Sequence, residues 1–167
     1  MDRYEFQSIR SYMIRVTTNR MRLRCWKPIV KYNIRQHLTA KQLKQRNTIF
    51  KANLCVYDAA YARYSWATPA QIIKAMRLGY LNPNDRHNAS PIQLRLLNFA
   101  LQNKGKARFY YSGYMHSTAG REEIMIDTFI MVPFKKYRDA MISRFTAFCQ
   151  TCDDLTIADG YISAWWD

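Results

Sequence analysis

A chain of 167 residues that is 49 % hydrophobic, 14 % aromatic and formally +14 in net charge has enough apolar content to bury a core, which excludes a disordered basic tail. The length suits one domain and no Gly/Ser/Pro-rich linker divides it, so residues 1–167 are read as a single domain. No apolar run approaches the roughly 18 residues of a membrane span, and the start Met1-Asp2-Arg3-Tyr4-Glu5-Phe6 lacks the apolar stretch of a signal peptide; the expectation is a cytoplasmic or nuclear protein, or one inside an assembly, with no membrane partner and with reduced cysteines.

The first element carries the most charge. Between Glu5 and Asp58 there is no acidic residue, and those 52 positions hold twelve Lys or Arg. Residues 1–57 have a net charge of +11, residues 58–121 of +7 and residues 122–167 of −4, so the basic character is concentrated towards the N-terminus. Such a block repels itself unless an anionic partner lies against it. From Tyr12, Met13-Ile14-Arg15-Val16, Thr17-Thr18-Asn19 and Arg20-Met21-Arg22-Leu23-Arg24-Cys25 predict a β-hairpin with one apolar and one guanidinium face. A competing reading makes residues 20–36 helical with a break near Pro28.

On the hairpin reading, arginines two apart project from one side at about 7 Å spacing, from a rise of about 3.3 Å per residue, and can meet neighbouring phosphates. Arg15, Arg20, Arg22 and Arg24 form this candidate face. Lys27, Lys31 and Arg35 continue it at four-residue spacing if the chain turns helical after Pro28, and Lys41 and Lys44 extend it into the next helix. Trp26 and Tyr32 lie among them and can stack on bases or buttress the hairpin.

Thr39 caps a helix predicted to run to about Trp66, with Leu43, Phe50, Leu54, Tyr57, Tyr61 and Tyr64 as its core stripe. An aromatic stacking platform would need those tyrosines exposed, and a helical stripe assigns them to the core. Thr68-Pro69-Ala70-Gln71 and Ser90-Pro91-Ile92-Gln93 each place a hydroxyl before Pro and Gln, predicting two capped helices that end near Gly79 and near Asn103, with Gly105 as a left-handed cap. Asn82-Pro83-Asn84-Asp85 reads as the turn between them.

Strands are predicted at residues 106–114 and 122–132, followed by a helix with Phe134, Tyr137, Met141, Phe145, Phe148 and Cys152 on one stripe. Helix, turn, helix and hairpin resemble the order of a winged helix, although Ile92, Leu94, Leu96, Leu97, Phe99 and Leu101 leave only Arg95, Asn98 and Gln102 as a polar strip. The end of the chain, Ile157 and Gly160-Tyr161-Ile162-Ser163-Ala164-Trp165-Trp166, is apolar enough to dock on the core. The fold class is α+β, with a helix-rich centre, an N-terminal basic hairpin and a C-terminal antiparallel strand pair plus helix.

Chemistry is sparse. Cys149 and Cys152 have CxxC spacing, but Cys25, Cys55, His37 and His87 come singly, so no zinc set and no cofactor are assigned. For a metal-dependent nuclease, Glu123 and Asp127 share a strand face with Asp153, Asp154, Asp159, Lys135 and Lys136 as further candidates, yet there is no nucleophile–base spacing and no phosphate loop. His116 is read as an exposed loop residue and no catalytic residue is assigned.

The run from Arg20 to Lys31, RMRLRCWKPIVK, is similar to the N-terminal basic segment of the lentiviral Vif family, and Gly105-Lys106-Ala107-Arg108 is similar to a segment that follows it there. The likeness covers under a tenth of the chain, and the two pieces lie far apart. The family's zinc-binding His/Cys arrangement is absent, and Ser90-Pro91-Ile92-Gln93-Leu94 matches its ubiquitin-ligase box only loosely. The resemblance implies RNA binding and recruitment of a host protein.

The expected function is therefore a non-catalytic nucleic-acid-binding protein, a viral or mobile-element factor that contacts phosphates of RNA or DNA. The alternatives are a component of a nucleoprotein or virion assembly, and an adaptor or inhibitor that covers an acidic host protein. Replacing Arg20, Arg22 and Arg24 together with Ser is expected to weaken nucleic-acid binding about tenfold or more at moderate salt while leaving the unfolding midpoint unchanged; a binding isotherm beside a thermal melt checks both.

Overall fold

The computed structural model describes residues 38–51, 54–57, 61–118 and 121–167. All belong to one unit, Asn33–Asp167, and the predicted hairpin and the reading of residues 1–167 as one domain fall partly or wholly outside them. The described residues form an α+β fold around an antiparallel sheet. In chain order they give α1 (Ala40–Phe50), β1 (Leu54–Val56), β2 (Tyr61–Ala67), α2 (Pro69–Arg77), α3 (Gln93–Asn103), β3 (Ala107–Thr118), β4 (Arg121–Pro133), a 3-10 turn (Lys135–Tyr137), α4 (Arg138–Phe148), β5 (Asp154–Ile157) and β6 (Ile162–Trp165). The six strands lie in the order β1-β2-β3-β4-β6-β5, every neighbour antiparallel.

Helix α1 starts where the sequence says, on the Thr39 capping box with Gln42, but it stops at Phe50 rather than near Trp66. The residues expected to extend it form the β1–β2 hairpin, in which Leu54 pairs with Tyr64 and Val56 with Ala62. Two patterns compete here. Leu54, Tyr57, Tyr61 and Tyr64 match a helical stripe, while burial from Tyr61 to Tyr64 alternates with the period of two of a strand. Pairing with β3 decides it, because it buries Ala62 and Tyr64 together and suits the β-branched and aromatic residues present.

Helix α2 has the predicted Thr68–Gln71 capping box and ends before Gly79, which takes the left-handed φ of 74°. Gln71 works at two places: its amide oxygen accepts from the Thr68 N–H, and its amide nitrogen donates to the Ile49 carbonyl at 2.7 Å. Helix α3 departs from the Ser90 cap. It begins at Gln93 after Ile92, with no side-chain cap; the N–H groups of Gln93 and Leu94 donate instead to the carbonyls of Asp85 and Pro83 at 2.9 Å. The Asn82–Asp85 turn folds back and supplies the acceptors that a side chain would otherwise provide. Ser90 takes the His87 N–H, and Gln93 reaches across to the Ile124 carbonyl. Gly105 does not adopt a positive φ.

Helices α1 to α4 pack on one face of the sheet. Phe50 meets Tyr64 at 4.6 Å between ring centroids, and Phe129 is the centre of an aromatic cluster with Phe99, Phe109, Tyr111, Phe145 and Phe148. Burial makes α3 a core helix through Leu96, Leu97, Phe99 and Ala100, and β3–β4 is the central pair of a sheet rather than a wing, so the winged-helix order does not describe this fold. The C-terminal stretch docks as β5 and β6, with Trp166 fully buried and Trp165 exposed.

One irregularity governs the central pair. Ser112 pairs with Thr128 but Gly113 with Ile126, which leaves Asp127 as an extra residue in β4. A Cβ on Gly113 would lie 1.9 Å from the Met125 carbonyl oxygen and 2.9 Å from the Tyr64 hydroxyl. Gly113→Ala is therefore expected to cost about 3 kcal/mol in urea unfolding, whereas Gly105→Ala, with nothing within 4 Å of the new methyl, should stay within about 0.5 kcal/mol.

Candidate nucleic-acid interface

Strand alternation leaves a second sheet face away from α1 to α4. On β3 it presents Arg108, Tyr110, Ser112, Tyr114 and His116, the residues that alternate with buried Ala107, Phe109, Tyr111 and Met115. On β2 it presents Tyr61 and Arg63, and on β4 Thr128 and Ile130. Aromatic rings on this face fall into two groups.

The first group lies towards β1. Tyr61 meets Tyr57 at 5.6 Å, stacks with Tyr114 at 6.1 Å and meets His116 edge-on at 6.2 Å. Tyr57 is exposed, and the Tyr114 hydroxyl is 3.2 Å from His87 Nδ1. The Tyr114 phenol is raised above its ordinary range by burial first and then by Glu123 and Asp127, so it keeps its proton. The second group is Trp66 with Tyr110 and Tyr161, at 5.2 Å and 6.0 Å, both edge-on.

Between the groups lies an ion pair. Arg63 Nη2 donates to Asp127 Oδ2 at 2.6 Å, with the Asp127 side chain 4 % and the Arg63 side chain 42 % exposed. Thr128 Oγ1 donates to the other carboxylate oxygen at 2.7 Å. Burial works against the guanidinium charge, but Asp127 and Tyr61 outweigh it and the Arg63 pKa is raised. The pair ties β2 to the β4 bulge across β3.

Of the residues singled out by sequence, Arg15, Arg20, Arg22, Arg24, Lys27, Lys31 and Arg35 lie outside the described residues. Lys41 and Lys44 are exposed on α1, whose buried Ile49 and Phe50 belong to the helix side of the sheet. Periodicity in the sequence conceals the Tyr57 and Tyr61 part of the aromatic face, because both match a helical core stripe. Tyr57 is 63 % exposed and only Phe50 and Tyr64 of that stripe are buried, which corrects the reading. The usable signal was the alternation in Tyr110-Tyr111-Ser112-Gly113-Tyr114-Met115-His116, where every second residue is polar or aromatic.

Several of the other candidates are taken up by the fold. Cys149 is buried, which pushes its thiol far up, and Cys152 Sγ is raised by burial as well; Cys55 is exposed on β1. Cys25 and His37 lie outside the described residues. Asp153 accepts from the Asp167 N–H and Asp154 from Thr156, while the Arg138 guanidinium donates to the carbonyls of Ala158 and Asp159. Among the described residues no three His, Cys, Asp or Glu side chains are grouped so as to hold a metal ion, and no helix is long and apolar enough to cross a membrane. His116 lies on β3 rather than in a loop.

Comparison with protein families, with curated proteins and with solved structures gives no match.

Arg63→Met leaves the Asp127 carboxylate buried without its cation and is expected to cost about 2 kcal/mol, the partial exposure of Arg63 softening the loss. Asp127→Asn keeps an acceptor for Thr128 and should cost less. Urea unfolding of both variants tests the order, and a wild-type midpoint for Arg63→Met would show that the pair holds nothing together.

Proposed function

We propose that this protein binds nucleic acid without catalysing a reaction, using Arg and Lys for phosphates and the second face of the sheet for bases. The observation that carries the reading is the placement of Tyr57, Tyr61, Tyr114 and His116, with Trp66, Tyr110 and Tyr161, on the sheet face away from the helices. Aromatic rings on a β-sheet give bases a sequence-tolerant stacking surface. Arg108 is exposed on the same face, about two residue rises from Tyr110, where a guanidinium can meet a backbone phosphate.

Charge supports the same partner. The acid-free block between Glu5 and Asp58, which includes the predicted arginine hairpin, supplies cations that a polyanion neutralises. Arg15, Arg20, Arg22, Arg24, Lys27, Lys31, Arg35, Lys41 and Lys44 are its phosphate contacts in this proposal. Residues of such a set fix position on the backbone without reading sequence.

A second reading, a component of a nucleoprotein assembly, draws on β5. Among the described strands it stands at one end of the sheet, Ile157 is 54 % exposed on it, and Trp165 of neighbouring β6 is 39 % exposed. An end strand with apolar side chains invites pairing with another chain. Concentration-dependent self-association without added nucleic acid would favour this reading.

Fluorescence anisotropy with labelled single-stranded RNA, duplex RNA and duplex DNA over a salt series tests the main proposal. Submicromolar binding is expected, and for duplex a log–log salt slope of about −5 if about six phosphates are neutralised. No binding to any of the three at low salt would overturn it in favour of an acidic protein partner.

A further inference from the structure

Trp66 is held in an unusual way. Its φ is 53°, in the left-handed region that bulky L residues rarely adopt, and it sits in the stretch between Tyr64 and Ala67 where the β2–β3 register slips. Its N–H donates to Ser112 Oγ at 3.2 Å, which fixes the distorted backbone to β3. A residue in this conformation is costly to the fold, and its neighbours must hold it there. Burial of the indole does not account for that cost, because Trp66 remains 42 % exposed, whereas Trp166, just after β6, is fully buried.

The distortion brings the indole together with Tyr110 and Tyr161. Both rings meet it at steep angles, 65° and 76°, and neither lies parallel on it. Tyr110 pairs across the sheet with Ile130 and Ile130 with Ser163, so an apolar floor, itself buried, lies on this face between β3 and β6. Arg108, exposed, precedes Tyr110 by two residues on the same side of β3.

We propose that Trp66, Tyr110 and Tyr161 form a stacking site for one unpaired base, with Arg108 on the adjoining phosphate, so that the preferred ligand is single-stranded nucleic acid. This rests on the nucleic-acid reading above and narrows it. A flat, polarisable base fits an exposed indole flanked by edge-on rings, and in a duplex that base would have to leave its stack first. The same three rings could cage a methylated ammonium group, but the neighbouring Arg108 cation disfavours a cationic ligand and favours an anionic strand. The local backbone supplies preorganisation: the ring is in place before the ligand arrives.

The test compares labelled single-stranded and duplex oligonucleotides of the same sequence with the full chain and three variants. Wild type should bind the single strand at least about tenfold tighter than the duplex. Trp66→Gly, which removes the ring and suits the positive φ, should lose on the order of ten- to a hundredfold in single-strand affinity with no fall in melting temperature. Trp66→Phe should retain most of the affinity, and Tyr161→Ala should weaken the single strand without changing duplex binding. Ultraviolet cross-linking of the wild type should place an adduct on a peptide containing Trp66, Tyr110 or Tyr161.

Nucleic-acid binding that is unchanged in Trp66→Gly, or adducts only on other peptides, would overturn the stacking site while leaving the wider reading intact. Absence of binding by the wild type to any oligonucleotide at low salt would remove both. Binding of a trimethyl-lysine peptide that is lost in Trp66→Gly, with oligonucleotide affinity unaffected, would assign the cluster to a methylated ammonium group instead.

Discussion

The extra residue in β4 sets what every neighbouring element can do. With Asp127 inserted opposite the Ser112–Gly113 step, Ile124 and Ile126 before it and Phe129 and Met131 after it all face the helices. Without the insertion one half of the strand would turn its apolar residues to the other face, because side chains alternate with period two. The same residue gives its carbonyl to the Trp166 N–H and its carboxylate to Arg63. The core, the end of the chain and the β2 strand are thus all registered against one irregularity, and Gly113 is the neighbour that leaves room for it.

Part of this was written plainly in the sequence. The Thr68–Gln71 box, the Thr39 cap, the turn at Asn82–Asp85 and the two long strands depend on local chemistry, and local chemistry is visible in a short window. The Ser90 cap illustrates the opposite case. Its residues suit a capping box, but the acceptors come from Pro83 and Asp85, a tertiary arrangement that leaves Gln93 free to satisfy the β4 carbonyl of Ile124.

The β1–β2 hairpin and the β5–β6 pair were obscured for a related reason. Residues 54–67 carry helical and alternating patterns at once, and only the presence of β3 as a partner selects between them. The segment around Trp165 read simply as apolar; its four-residue strands are too short to announce a period. The rings contributed by Tyr57, Tyr61, Trp66 and Tyr161 are hidden for the same reason, since a side chain cannot be assigned to a face before its strand is recognised. The basic residues named from sequence lie outside the described residues except for Lys41 and Lys44 at their end, so sequence supplies the charge and the fold supplies the rings.

The double role of Gln71 reaches further than helix capping. Its side chain closes the start of α2 and also takes up the Ile49 carbonyl from the last turn of α1, whose Gln45 in turn accepts from the Tyr80 hydroxyl beyond the end of α2. Opening α1 would strip an acceptor from the amide that holds the α2 cap, and fraying α2 would expose a carbonyl in α1. The two helices are therefore coupled through these side chains, and the slowest-exchanging amides of both should share a single opening free energy rather than two.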